Sequence, residues 1–469
     1  MSYATAVQRL YALAAELYTA PGEVRRKFEL GQMRLLMEAL GDPQKTLRSV
    51  LIAGTNGKGS TAATLASICA AAGYRVGLYS SPHLARVNER IQILASEGPS
   101  SAPLVVRHEI SDEAFAIAFE TVAKASSQLV ESGKLPALPS FFEAITAMAF
   151  VYLAETKVDI AILEVGMGGR LDATNIVDPL ISIITDISLD HTEWLGPTVG
   201  AIAREKAGIL RANGTMVTLP QHPEANQALG EIAVPLGVKG ISAAEYVPSH
   251  TLAQDPKSNR YSVEIEGESI QVDSPLAGQH QQRNIALAIA AAVELRASHG
   301  YVLSSSQIAS GIHQTAWPGR FEYYPARAAR AEVLLDVGHN PAGAWALRSA
   351  LSGWSDTATP RTLIFSCLRD KPIGELAQIL FPLFDRVILT AIDSPRAASL
   401  KELSEAAEPT GTTVEESAGP VDAMDMATWL TPPGGLIVVT GSVLLVGAVR
   451  SMLNAQNTRN VSLEPERVS

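Results

Sequence analysis

Two cysteines, Cys69 and Cys367, are all that 469 residues contain, and they stand far apart. Neither a disulfide framework nor a cysteine metal site is expected from such a pair. No apolar run approaches the roughly 18 residues of a membrane span. The first helical stretch, 4–17, carries Arg9 and Glu16 and lacks an apolar centre long enough for a secretion signal. Positive charge is also short: 37 Lys and Arg against 48 Asp and Glu leave a net charge of −11. That balance argues against general binding to nucleic acid or to an anionic membrane. What remains is ordinary for a globular chain, 47% apolar and 18% charged residues. The length is comfortable for two domains. A cytoplasmic protein of enzyme size is expected.

Short, nearly continuous runs of Val, Ile and Leu at 49–53, 76–79, 160–165, 181–185 and 216–219 read as strands covered on both faces. Helical patterns at 62–72 and 142–154 lie between them. Alternating residues at 261–272 predict an antiparallel hairpin, followed by an Ala-rich helix over 284–298. A break at Trp317-Pro318-Gly319 interrupts the pattern, and strands resume at 333–336, 362–366, 386–390 and 436–440. The expectation is an α/β protein of two domains. Residues 1–317 would form a P-loop-type, mostly parallel sheet flanked by helices, and 318–469 a smaller Rossmann-like α/β domain. Segments 98–103 and 249–259 read as turn-rich surface loops, and the polar tail 454–469 as frayed.

Gly54-Thr55-Asn56-Gly57-Lys58-Gly59-Ser60 follows the first strand and opens a helix. It departs from the pattern G-x-x-x-x-G-K-[ST], because only Thr55 and Asn56 precede Gly57-Lys58 and Gly59 intervenes before Ser60. Its setting still supplies what a phosphate needs, free backbone N–H groups and the positive end of a helix dipole. Lys58 would face the β- and γ-phosphates, and the hydroxyl of Ser60 or Thr61 could approach Mg²⁺. A glycine-rich turn with an incidental lysine is the alternative. At the end of the next strand, Ser81 offers a hydroxyl to Mg²⁺, which prefers oxygen donors. His83 alone reads as a turn histidine. Glu164 sits in an apolar strand, where an unpaired carboxylate is costly, so a partner or cation is expected. The glycines after it allow close approach, and Arg170 and Asp172 would put charge at the mouth. The stretch Asp186 to Glu193 follows another strand. Ser81, Glu164 and His191 can therefore converge on one rim, where open α/β sheets bind ligands. Lys206 alone reads as a solvated lysine on a short helix. Asp336 and His339 follow a strand beyond the break and could reach a nucleotide held by the first domain. Arg320, close by, could cross the cleft as a charge-stabilising fork.

Together these stretches resemble the folylpolyglutamate synthase and dihydrofolate synthase family, within the Mur-ligase-like ATP-dependent amide-bond-forming enzymes. The resemblance rests on GTNGKGS, SSPHL with NER after it, EVGMGGRLDATN, DHTEWLG, EKAGI, HQQRNIALA, WPGRFE, LDVGHNPAG and CLRDK, in family order. It spans nearly the whole chain. It implies that Gly54, Thr55, Asn56, Gly57, Lys58, Gly59, Ser60 and Thr61 hold ATP, with Asn284, Arg320 and Asp336 contacting it or shaping the cleft. It implies Ser81, Glu164 and His191 around Mg²⁺, and Lys206, if carbamylated, supporting a second Mg²⁺ and the γ-phosphate. Lys58, Lys206 and His339 become catalytic, and His83, Arg90 and Phe142 line the substrate side, with Phe142 near a pterin.

The implied reaction transfers phosphate from ATP to a carboxylate, and the amine of L-glutamate then attacks the acyl phosphate. Dihydropteroate and the terminal glutamate of reduced folates would be the acceptors, ATP and Mg²⁺ the cofactors, and the enzyme a cytoplasmic monomer. Polyglutamylation alone is one alternative, and a non-catalytic nucleotide-binding regulator on the same fold is another. A muropeptide ligase carries a further domain ahead of the ATP loop. Only 53 residues precede Gly54 here, fewer than a separate domain of usual size needs.

Overall fold

The computed structural model describes residues 1–14, 30–98, 103–249, 257–327, 330–354 and 359–461. Its first eight strands are β1 (Ser49–Ala53), β2 (Val76–Tyr79), β3 (Ile91–Glu97), β4 (Leu104–Glu109), β5 (Ile160–Glu164), β6 (Ile181–Ile184), β7 (Thr215–Thr218) and β8 (Lys239–Ser242). They form one sheet in the order β4-β3-β2-β5-β1-β6-β7-β8. The pairs β2–β3 and β3–β4 are antiparallel, and all the others are parallel.

Strand β1 shows why the sheet is clothed on both sides. Successive strand residues point to opposite faces, and Val50 and Ile52 enter one core layer while Leu51 and Ala53 enter the other. Each fully buried Val, Leu or Ile contributes about 1.5–3 kcal/mol through loss of water contact. Helix Lys58–Ala71 is made almost entirely of small and aliphatic residues, nearly all buried. That composition lets it be wedged between the sheet and the helices Gln279–His299 and Ser305–His313. Gly311 abuts the Ile68 backbone with no room for a Cβ, and Ser67 Oγ donates to the Gly311 carbonyl at 2.7 Å.

The hairpin β9 (Asn259–Ile265) and β10 (Glu268–Ser274) stands apart as a two-stranded sheet. The second large sheet holds β11 (Glu322–Tyr324), β12 (Glu332–Leu335), β13 (Arg361–Phe365), β14 (Arg386–Thr390), β15 (Val414–Ser417) and β16 (Leu436–Thr440). Its order is β11-β12-β16-β13-β14-β15, with only the β11–β12 pair antiparallel. Again the faces split by alternation: Leu363 and Phe365 pack on one side, Ile364 on the other. The protein is thus a two-domain α/β structure, with a larger mixed sheet of mostly parallel strands and a smaller second sheet.

Five strands went unread in the sequence: β3, β4, β8, β11 and β15. All lie at or toward sheet edges, and β4 and β8 contain no fully buried residue, so neither shows the apolar run that marks a central strand. The tail read as frayed is helical as far as Val461. Most of segments 98–103 and 249–259 lies outside the described residues.

Candidate active site

Four parallel strands, β2, β5, β1 and β6, sit side by side, and their C-terminal ends deliver the polar residues singled out in the sequence. Strand β1 leads into the glycine loop, β2 into Ser81, β5 ends on Glu164, and β6 leads into Asp186–His191. The end of β12 adds Asp336 and His339 from the second sheet. Residues Gly54 to Ser60, with Ser81, Glu164, His191, Lys206, Asn284, Arg320, Asp336 and His339, line one cleft of about 390 Å³.

The loop is built to be open toward that cleft. Gly57 is the helix N-cap at φ 89°, a left-handed conformation suited to glycine, and it offers no side-chain cap. The first-turn N–H groups of the helix are therefore left for an anion. A Cβ at 57 would also overlap the Asn284 amide. From below, the Asp186 carbonyl accepts from the N–H groups of Thr55 at 2.9 Å and Asn56 at 3.2 Å. Arg283 in turn grips the Asp186 carboxylate, with Nε at 2.9 Å from Oδ2 and Nη2 at 2.5 Å from Oδ1.

Lys206 differs from its solitary reading. It is 3% exposed and donates to the Gly54 carbonyl at 2.7 Å. Lys58 Nζ donates to the same oxygen at 3.1 Å and to the Thr55 carbonyl at 3.2 Å. Burial first, and then the Lys58 charge, push the Lys206 amine well below its ordinary value. Glu164, 4% exposed, is pushed up by burial, partly offset by Lys58 and by the Ser81 N–H. That N–H donates to Glu164 Oε2 at 3.1 Å, and Oε1 has no hydrogen-bond partner among the described residues.

Asp336 accepts from the N–H groups of Phe321 at 3.1 Å and Gly338 at 2.8 Å, which fixes the turn that presents His339. The His339 Nδ1 lies 2.9 Å from the Val337 carbonyl, so Nδ1 carries the proton and Nε2 is free to accept. Burial, then the Lys371 charge, push this imidazole down to about 4. Arg320 is pushed down by burial, against the attraction of Asp336 and Glu164.

Thr61, His83, Arg90 and Phe142 do not line the cleft. Thr61 is fully buried inside its helix, and its hydroxyl has no partner among the described residues. His83 and Arg90 form a separate cluster: Arg90 Nε donates to His83 Nδ1 at 2.9 Å, and its guanidinium lies 5.2 Å from the Phe141 ring centroid. The Phe142 ring presses on Gly166, itself a cleft residue. Asp172 is not a charge at the mouth; it is 7% exposed and accepts from the N–H groups of Gly166, Met167 and Thr174, each at 3.0 Å. Arg170 instead pairs with Glu205 at 2.9 Å. The glycines of that segment need an acceptor for their backbone, and Asp172 supplies it. Asp190, Asn340 and Lys371 stand inside the sequence motifs with no local sign of a role; Asp190 lines the cleft and accepts hydrogen bonds from the other two.

No group of three or more His, Cys, Asp and Glu side chains forms a ready-made metal cage among the described residues. The rim nonetheless fits Mg²⁺ of the kind completed by water and substrate phosphates. The open Oε1 of Glu164 and the Ser81 hydroxyl are oxygen donors beside the phosphate loop, and a buried carboxylate without a second partner favours a cation.

Residues 108–292 match the family described as Mur ligase middle domain, and 319–443 the Mur ligase, glutamate ligase domain. The dihydrofolate synthase/folylpolyglutamate synthase of Bacillus subtilis is 33% identical over 432 residues, covering 90% of this chain and 94% of that protein. Its namesake from Mycobacterium tuberculosis is 34% identical over 464 residues, covering 92% and 91%. Among solved structures, the M. tuberculosis folylpolyglutamate synthase complexed with ADP and AMPPCP superposes with a TM-score of 0.79 at 30% identity, over 96% of this chain and 98% of that one. E. coli FolC in complex with DHPP and ADP gives 0.78 at 30% identity, again over 96% and 98%.

Proposed function

The chain belongs to the dihydrofolate synthase/folylpolyglutamate synthase family, and from that premise we propose that it joins L-glutamate to dihydropteroate and to the terminal glutamate of reduced folates, at the expense of ATP. The observation that carries this reading is the meeting of the glycine loop, Glu164 and Lys206 beneath Asp336 and His339 of the second domain. A carboxylate is a poor electrophile, so it must first become an acyl phosphate, and the charge on the transferred group must be stabilised.

Each residue has a part in this. The first-turn N–H groups and Lys58 bind the triphosphate. To do so, Lys58 exchanges its loop carbonyls for phosphate oxygens. Ser81, Glu164 and His191 would hold Mg²⁺, which when bound neutralises charge on the phosphates. Lys206, whose charged form burial and the Lys58 charge disfavour, is suited to carbamylation, which would give an anion beside the metal site. Asn284, Arg320 and Asp336 shape the nucleotide side, and Arg320 brings positive charge to the transferred phosphoryl group. His339 presents an unprotonated Nε2 that can take a proton from the incoming amine. Phe142, whose ring presses on Gly166, and the neighbouring His83–Arg90 cluster are assigned to the pterin end of the acceptor. We put the domain boundary between Trp317 and Pro318, where the chain leaves the helices packed on the first sheet. Among the described residues no helix is long and apolar enough to cross a membrane. A cytoplasmic monomer is part of the same proposal.

The test is one assay with ATP and L-glutamate, offering dihydropteroate and tetrahydrofolate in parallel. Both acceptors should gain a glutamate with one ADP formed per amide. ATP bound but not turned over, with or without glutamate and acceptor, would instead support a non-catalytic nucleotide-binding regulator.

A further inference from the structure

The second domain reaches the rim of the first through polar side chains that the ligase reading leaves unused. Asp190 Oδ1 accepts from Lys371 Nζ at 2.9 Å, and its Oδ2 accepts from Asn340 Nδ2 at 3.0 Å. Both bonds cross between the domains. The same Asn340 Nδ2 also donates to Asn56 Oδ1 in the glycine loop, at 3.0 Å. Its Oδ1 caps helix Pro341–Ser352 by accepting from the Gly343 N–H at 2.8 Å. The Asp190 side chain is 11% exposed and that of Lys371 6%, so two charges are withdrawn from water at the junction. The His339 and His191 Nε2 atoms stand 3.9 and 4.0 Å from the same carboxylate.

We propose that Asp190, Asn340 and Lys371 form an inter-domain latch, positioning residues that define the closed cleft and tie it to the glycine loop through Asn56. A buried ion pair adds little net stability, because desolvation offsets the attraction, but losing one partner leaves an uncompensated charge. Such a pair therefore selects one docking of the two domains over its near neighbours. Asn340 supplies the coupling. Its two N–H donors reach Asp190 and Asn56 together only when rim and loop hold one relative placement. Domain closure and loop placement then become a single event, which brings His339 and Asp336 over the loop. The catalytic consequence rests on the ligase reading, whereas the latch itself does not.

The test uses the full chain with Lys371→Met, the neutral pair Asp190→Asn/Lys371→Met, and Asn340→Ser with and without Asn56→Ala. Serine keeps an oxygen to cap the helix but has no amide to bridge. Turnover with ATP, L-glutamate and acceptor is read beside X-ray scattering, which needs no turnover. Lys371→Met should lower kcat about tenfold or more and enlarge the radius of gyration, because opening returns Asp190 to water. The neutral pair should recover both. The kcat/KM losses of Asn340→Ser and Asn56→Ala should not multiply, because each breaks the same bridge. A neutral pair worse than Lys371→Met, multiplying losses, or scattering unchanged in every variant overturns the latch. So does a rise confined to KM for L-glutamate, which would assign Lys371 to substrate. A wild type without turnover whose variants still expand supports the latch and overturns the ligase reading alone.

Discussion

The amine of Lys206 and the carbonyl of Gly54, 152 residues apart in sequence, meet at 2.7 Å. Lys58 donates to the same oxygen, so two lysines share one acceptor in a buried place. Burial and the Lys58 charge both favour loss of the Lys206 proton, and a neutral amine is the form that adds CO₂ to give a carbamate.

Lys206→Met, an apolar side chain of similar length, should therefore fold with an unfolding midpoint close to wild type. It should also lose about a hundredfold or more of kcat, as when a charge-stabilising group is removed. Thermal unfolding and turnover of the same preparation check both halves. Crystals of the wild type should show extra density on the Lys206 amine. A fully active Lys206→Met enzyme would end this role.

Glu164→Gln keeps the shape of the side chain and removes its charge. The Ser81 N–H retains an acceptor, so the fold should persist. The Mg²⁺ concentration for half-maximal turnover should rise about tenfold or more, as metal sites respond to the loss of a supporting group. A Mg²⁺ titration that overlays wild type would make Glu164 a structural residue.

These residues also show how far a sequence can be read. Strands β1, β2, β14 and β16 were legible to the residue, because strands buried on both faces are unbroken apolar runs. The glycine loop, Ser81 and Glu164 were legible because each stands at the end of such a run, and His191 because it lies in the polar stretch that follows β6. Lys206 was not: flanked by Arg204 and Glu205, it looks like part of a solvated face. In the fold it is buried and donates to the Gly54 carbonyl, far away in the chain. Asp190 and Lys371 stand 181 positions apart, and neither carries a local mark of its partner. Asp172 misled for the opposite reason. A charge beside glycines reads as exposed, whereas here the glycine backbone consumes it.

His83 sets a pH dependence. Its Nδ1 accepts from Arg90, which requires the neutral ring. Burial, reinforced by the Arg90 charge, pushes it from 6.5 down to about 3. Between those values the unfolded chain binds a proton that the folded one refuses, so stability falls as the pH drops through this window and is fully present above it. Urea unfolding midpoints should decline from neutral pH to about pH 5, and less steeply in His83→Asn. Equal slopes for the two proteins would remove His83 from the acid response.

The most direct measurement follows an oxygen atom. Dihydropteroate labelled with ¹⁸O in its carboxylate, incubated with the enzyme, ATP and L-glutamate, must hand one carboxylate oxygen to phosphate if an acyl phosphate forms and the amine displaces it. Mass spectrometry of the inorganic phosphate should find one ¹⁸O for each amide made. Amide formed with unlabelled phosphate, or ADP released without amide, would contradict the account.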